Sequence, residues 1–213
     1  MKSQIIQIQN QKFTLHPTGV MFWEEKSMLL IADPHLGKIS HFRKHGSAVP
    51  QEAVLKNFEQ LDTVITIFNP STICFLGDLF HSYINNEWVL FSDWVSKTNP
   101  EILLIVGNHD IISPRKYEEL DIKIGSELIL DNFLLSHHPE EREGLFNFCG
   151  HIHPGVLLGG LGKQRLRLPC FYQKENQLIL PAFGEFTGNH TLEPTEKVKI
   201  YAITKKEVIL VHQ

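Results

Sequence analysis

Five clusters of polar residues in this chain each follow directly on a short apolar run, and their residue types are those that hold metal ions or move protons. Leu29-Leu30-Ile31-Ala32 leads into Asp33-Pro34-His35, and Ile73-Cys74-Phe75-Leu76-Gly77 leads into Asp78. Leu103-Leu104-Ile105-Val106-Gly107 opens into Asn108-His109-Asp110. Phe133-Leu134-Leu135-Ser136 leads into His137, and Phe146-Asn147-Phe148-Cys149-Gly150 into His151-Ile152-His153. Ligands of open α/β sheets bind beyond the carboxyl ends of strands, so these are the places where chemistry is expected. Any one cluster has an ordinary explanation, because Gly-Asn and Gly-Asp make turns and an Asp often caps a helix. Five in succession, each at the end of an apolar run, point to one shared site.

The residue types fit two adjacent divalent ions. Asp33, His35 and His153 would hold the first, and Asn108, His137 and His151 the second. Asp78 suits a bridge, since a carboxylate has two oxygens and neutralises charge between cations. Oxygen and nitrogen ligands without thiolate favour manganese, iron or zinc. Two such ions about 3.5–4 Å apart can activate a water and clamp both ends of an in-line phosphoryl displacement. His109 follows a ligand but is needed in neither set, which leaves it to serve a leaving oxygen. Asp110 would orient it or cap a helix.

The elements that must carry these residues are legible from periodicity. Residues 4–9 and 12–15 read as a hairpin, and 20–23 with 27–32 as a second pair whose last member is apolar throughout, as in a strand buried on both faces. Val54, Phe58, Leu61, Ile65 and Phe68 repeat at helical spacing after Pro50, and Trp88, Phe91, Trp94 and Val95 mark a helix over 86–97. Strands are predicted at 72–76 and 102–106, and a short helix from Pro114. From residue 121 the pattern turns to short strands, at 122–124, 127–130, 132–136, 146–149, 165–168, 170–174, 177–180, 197–204 and 207–211. A first half of βα alternation and a second half of strands predict one domain over 1–213, built of two packed sheets flanked by helices.

Composition sets limits. An apolar share of 42% with 21% charged residues is that of a soluble globular protein. The start of the chain lacks the apolar core of a signal peptide, no span reaches membrane length, and Cys74, Cys149 and Cys170 form no C-x-x-C pair. A cytoplasmic protein with reduced, buried thiols and no membrane partner is expected. The net charge of −4 runs against nucleic-acid binding, yet two divalent ions beside only two carboxylates, Asp33 and Asp78, would make the mouth of the site positive.

Taken together, Asp33-x-His35, Gly77-Asp78, Gly107-Asn108-His109-Asp110, His137 and Gly150-His151-x-His153 resemble the signature of the calcineurin-like metallophosphoesterases. The resemblance implies an α/β fold, a four-layer αββα sandwich of two mixed β-sheets flanked by helices, with a dinuclear site. A narrower likeness extends toward the C-terminus. Ala32-Asp33-x-His35-Leu36-Gly37-Lys38, Phe42-Arg43-Lys44-x-Gly46, Arg167-Leu168-Pro169-Cys170-Phe171 and Pro181-Ala182-Phe183-Gly184-x-Phe186-Thr187-Gly188 are similar to the ligase-associated DNA-damage-response endonucleases. That likeness implies a manganese-dependent phosphodiesterase acting on single-stranded DNA in repair, with a DNA ligase and a helicase as functional partners. Glu is common in that group where His138 stands, and Gly where Asn189 stands.

Outside the proposed ligands, Lys38, His41, Phe42, Arg43 and Lys44 form a basic loop suited to phosphates and to stacking on a base. Lys163, Arg165 and Arg167 alternate with Leu166 and Leu168, so a strand there presents its charges on one face. An edge strand carries such charges for solubility as well. The competing readings are a phosphatase or phosphodiesterase for nucleotides and other small esters, and a protein-binding scaffold of the same fold. A scaffold has no need of seven metal-type ligands.

Overall fold

The computed structural model describes residues 1–38, 52–160, 162, 164–184 and 187–213. The chain first builds β1 (Gln4–Ile8), β2 (Gln11–Leu15), β3 (Met21–Trp23) and β4 (Met28–Ile31), each antiparallel to the one before. α1 (Glu52–Phe68), β5 (Thr72–Leu76), α2 (Asn86–Lys97), β6 (Glu101–Ile105), α3 (Pro114–Glu118) and β7 (Lys123–Gly125) follow. β4 to β7 pair in parallel, which is why a helix separates each strand from the next. The seven strands lie side by side in chain order.

The second half supplies β8 (Glu127–Leu130), β9 (Phe133–Ser136), β10 (Phe146–Cys149), β11 (Pro154–Gly159), β12 (Arg165–Lys174), β13 (Gln177–Ile179), β14 (His190–Thr191), β15 (Lys199–Ile203) and β16 (Val208–His212). They form one sheet in the order β14-β11-β12-β13-β10-β9-β8, with β15 paired to β12 and β16 to β15. The sequence pattern missed β11 and β14, and it broke β12 at Pro169. In the structure Pro169 stands where β12 changes partners, its residues 165–169 pairing with β11 and those from 170 onward with β15 and β13. A residue without an N–H is tolerated at such a junction.

Alternation along the strands explains why they read as unbroken apolar runs. Leu29, Ile31, Ile73, Phe75, Ile102 and Leu104 share one core with Phe58, Leu61 and Val64 of α1, Phe91 and Trp94 of α2 and Tyr117 of α3. Leu30, Ala32, Cys74, Leu76 and Ile105 belong to a second core with Phe133, Leu135, Phe148, Phe171, Leu178 and Tyr201 of the other sheet. Each fully buried side chain of this size contributes roughly 1.5–3 kcal/mol, so the central strands are held from both sides. The two-sheet sandwich expected from the sequence is therefore present. Among the described residues its helices cover the first sheet only, and the outer face of the second packs Cys149, Val156, Cys170, Tyr172 and Ile200 under Leu192, Val198 and Val211. All three cysteines are free and buried.

Candidate metal centre

Parallel pairing puts the ends of β4, β5 and β6 on one edge of the first sheet, and with them Asp33, Asp78 and Asn108. β9 and β10 are also parallel, which brings His137 and the His151–His153 turn together at the matching end of the second sheet. The glycines before these residues let the two edges close. A Cβ on Gly107 would overlap the carboxylate of Asp78, one on Gly77 the ring of His137, and one on Gly150 the carboxylate of Asp33. Gly107 thus makes room for a candidate ligand that follows the neighbouring strand, and Gly77 and Gly150 for candidate ligands that follow strands of the facing sheet. Gly107 serves by this space and not by left-handed backbone, since its φ is not positive.

The turns that follow are left-handed at the functional residues themselves. Asp33, His35, Asp78, His151 and His153 have φ of 51°, 47°, 51°, 66° and 51°. Outside glycine this conformation is disfavoured and persists only where the surroundings enforce it. Here Asp33 Oδ2 accepts the His151 N–H at 2.9 Å, and Asp78 Oδ1 accepts the His109 N–H at 2.8 Å, so the loops lock one another.

Two groups of ligand atoms result. In the first, His35 Nε2 lies 3.2 Å from His153 Nε2, and His153 Nε2 lies 3.4 Å from Asp33 Oδ1. In the second, His137 Nε2 lies 3.1 Å from Asn108 Oδ1 and 3.2 Å from His151 Nδ1. Asp78 faces both, with Oδ2 3.9 Å from His35 Nε2 and Oδ1 3.5 Å from His137 Nε2. Asp33 also approaches His137, but through Nδ1 at 4.0 Å, and that nitrogen is committed to the Leu76 carbonyl at 2.9 Å. Asp78 is therefore the better bridge.

The donor chemistry fits cations. A carbonyl only accepts, so His137 Nδ1 carries the proton and Nε2 presents a lone pair. That lone pair meets the carbonyl oxygen of Asn108, a contact of two acceptors that a shared cation would satisfy. Asp33 Oδ1 is buried with no hydrogen-bond donor, a costly state for a carboxylate oxygen unless positive charge offsets it. Burial, with His153, Lys38, His81 and His109 adding to it, lowers the His35 pKa to about 2, so this imidazole is neutral and free to ligate.

A sequence model described as calcineurin-like phosphoesterase matches residues 27–172. The chain belongs to that family. Among solved structures, the nuclease MPE of Pseudomonas putida is similar at 29% identity and a TM-score of 0.85, covering 99% of this chain and 100% of that one. The phosphoesterase YfcE of E. coli is similar at 14% identity and a TM-score of 0.40, over 85% of this chain and 96% of its own. No curated protein matches the sequence. The chain is thus a metal-dependent phosphoester hydrolase of this family, whose members use divalent metals, and its Asp and His groups could bind them.

Around the candidate ligands, the phosphoesterase fold places the other expected residues unequally. His109 is half-buried, stacked on His81 with centroids 4.8 Å apart and planes at 15°, and edge-on to His35 at 5.6 Å. Asp110 accepts the Phe80 N–H at 3.0 Å and the Gly107 N–H at 2.8 Å, so its carboxylate ties two loops together instead of orienting His109. Burial raises its pKa to about 6 against those two hydrogen bonds. Lys38 is half-buried; burial lowers its pKa below the ordinary value, and the charge of Asp78 only partly offsets this. Arg165 and Arg167 are exposed on one face of β12, opposite Gly159 and Leu157 of β11. β11 starts directly after His153, so this hairpin leaves from the rim of the site. His41, Phe42, Arg43 and Lys44 lie outside the described residues, as does Lys163.

Of the histidines outside the proposed ligand set, His81 and His190 stand near the motifs in the sequence, and the structure brings His81 and His138 against the site. His81 packs against both His109 and His35, its backbone N–H donating to the Leu36 carbonyl at 2.9 Å. His138 lies against His151, with centroids 4.1 Å apart. The signal was position alone, since each follows a strand-end ligand by one to three residues. His190, by contrast, is exposed and contributes only its N–H, to the His153 carbonyl at 2.9 Å.

Proposed function

We propose that the protein is a two-metal phosphodiesterase that cuts single-stranded DNA, working in the cytoplasm in repair beside a DNA ligase and a helicase. What supports the substrate class is the end-to-end likeness to a nuclease, MPE of Pseudomonas putida, over 99% of this chain. What supports two ions is the Asp78 carboxylate turned with one oxygen toward each group of ligands. Asp33, His35 and His153 would hold one ion and Asn108, His137 and His151 the other, with Asp78 between. Manganese is the expected metal, and iron and zinc suit the same donors. When bound, such ions supply Lewis-acid activation of water and of phosphoryl oxygens.

The chain's own groups complete the reaction. Lys38 adds positive charge where a phosphodiester enters. As the oxygen of a water that releases one proton to solvent bonds to phosphorus, the phosphorus–oxygen bond to the leaving strand breaks and His109 protonates the leaving oxygen, then regains a proton from solvent. His81 holds the His109 ring by stacking, and Asp110 fixes the loop that carries it. Arg165 and Arg167 on β12, with Arg43 and Lys44, would track the flanking phosphates.

The test is metal-stripped protein resupplied with Mn²⁺, Fe²⁺ or Zn²⁺ and offered circular single-stranded DNA, an aryl phosphodiester, an aryl phosphomonoester and nucleotides. Cleavage of the circle with Mn²⁺, abolished by chelator, is expected. Turnover of nucleotides or monoesters far above that of DNA would move the assignment to a small-ester phosphatase.

A further inference from the structure

His138 directly follows His137 at the end of β9, and its backbone is fixed from the interior. Its carbonyl accepts the Ser136 hydroxyl at 2.7 Å, and that hydroxyl in turn accepts from Asn147 Nδ2 at 2.7 Å. Asn147 is buried, with further bonds to the Leu134 carbonyl, the Gln177 side chain and the Glu140 N–H. The His138 ring itself is exposed, yet it turns back to lie 4.1 Å from the His151 ring and 4.8 Å from the His137 ring, centroid to centroid. One ring nitrogen from each of these three histidines lies within 4.8 Å of the others. An exposed imidazole gains little from packing on two others, whereas three imidazoles converging on one point are the donor set of a borderline metal ion.

Resting on the two-ion reading, we propose that His138 is a further ligand of the ion held by Asn108, His137 and His151. The two positions then differ in kind. The first has the carboxylate of Asp33 with two imidazoles, and the second has three imidazoles with an amide oxygen. Affinity for nitrogen-rich sites rises from manganese toward cobalt and zinc, so the second position discriminates more strongly among metals than the first. Removing His138 leaves Asn108, His137, His151 and the shared Asp78, and weakens that position alone.

The experiment titrates metal-stripped wild type and His138→Ala with Co²⁺ and with Zn²⁺, following heat of binding and the visible spectrum of bound cobalt. The substitution removes an exposed ring, and melting in chelator checks that folding is kept. Wild type should take up two ions. His138→Ala should keep one at wild-type affinity, bind the other at least about tenfold more weakly, as expected even for lesser changes around a bound metal, and lose the cobalt bands of that site. Two ions bound with unchanged affinities and spectrum overturn the inference, and a raised KM with metal binding intact does the same by making His138 a substrate contact. A wild type that binds one ion overturns the two-ion reading, and the inference falls with it.

Discussion

At the scale of single residues, the role proposed for His109 separates metal binding from proton transfer. His109 sits in neither group of ligand atoms; its ring stacks on His81, and its backbone N–H donates to Asp78. His109→Ala should keep both ions and lose roughly 10²–10⁴-fold in rate on DNA, the usual worth of a general acid. An aryl ester leaves without much protonation and should suffer far less. Metal analysis with both substrates checks this, and equal losses on the two esters would remove the assignment. The candidate ligands were legible in the sequence because five such clusters follow apolar runs in succession, which ordinary turns and caps do not require. The reason for the glycines was not. Gly107 exists for the sake of Asp78, 29 residues earlier in the chain, and only the pairing of β5 with β6 reveals which side chain needs the space.

At the scale of elements, helices and central strands followed from periodicity, whereas β11 was hidden because Pro-Gly at its start and Gly-Gly after Leu158 carry the marks of a loop. The turn between β2 and β3 holds a second hidden feature. His16 is 3% exposed, its Nδ1 accepts from the Thr18 N–H at 3.3 Å and meets the Thr18 hydroxyl at 2.8 Å, and its ring is edge-on to Phe68 of α1. Burial, then the charged N-terminus, lowers its pKa to about 4. Because the folded value lies below the unfolded 6.5, the stability it contributes is complete above pH 6.5 and is lost as pH falls toward 4. Between pH 7 and 4.5 this amounts to about 2–3 kcal/mol. Urea titrations in chelator should show that slope in wild type and a flatter one in His16→Asn, whose amide oxygen can still accept from Thr18. Parallel slopes would acquit His16.

Across the whole molecule, the site is divided between the sheets. Asp33, His35, Asp78 and Asn108 follow strands of the first, and His137, His151 and His153 follow strands of the second. Bound metal would therefore add a further tie between two layers that already meet through the apolar core and through bonds such as the His151 N–H on Asp33 and His137 on the Leu76 carbonyl. An ion at a hundred times its dissociation constant adds about 2.7 kcal/mol to the folded state, which for a chain of this size raises Tm by roughly 5–10 °C. Thermal melts with and without Mn²⁺ should show this rise for wild type and little of it for Asp78→Ala, which faces both groups of ligands. An equal rise in both would deny Asp78 the bridge. The ordered motifs told that a site existed, but which sheet supplied each part depended on pairing between strands far apart in the chain.

The left-handed backbone at Asp33, His35, Asp78, His151 and His153 sets selection for durability against selection for catalysis. Glycine takes that conformation freely, and alanine does not. At His151, replacement by glycine should give a metal-free protein about 1 kcal/mol more stable than replacement by alanine, reversing the order usual in helices and strands. Denaturant titrations of the two variants, both equally without the imidazole, read the difference directly. A laboratory population evolved for heat resistance alone, in chelator, would drift toward glycine at the histidines of this set, though not at Asp33 and Asp78, whose carboxylates tie the loops together. At those histidines, a demand for turnover keeps side chains where the backbone would be easier without them.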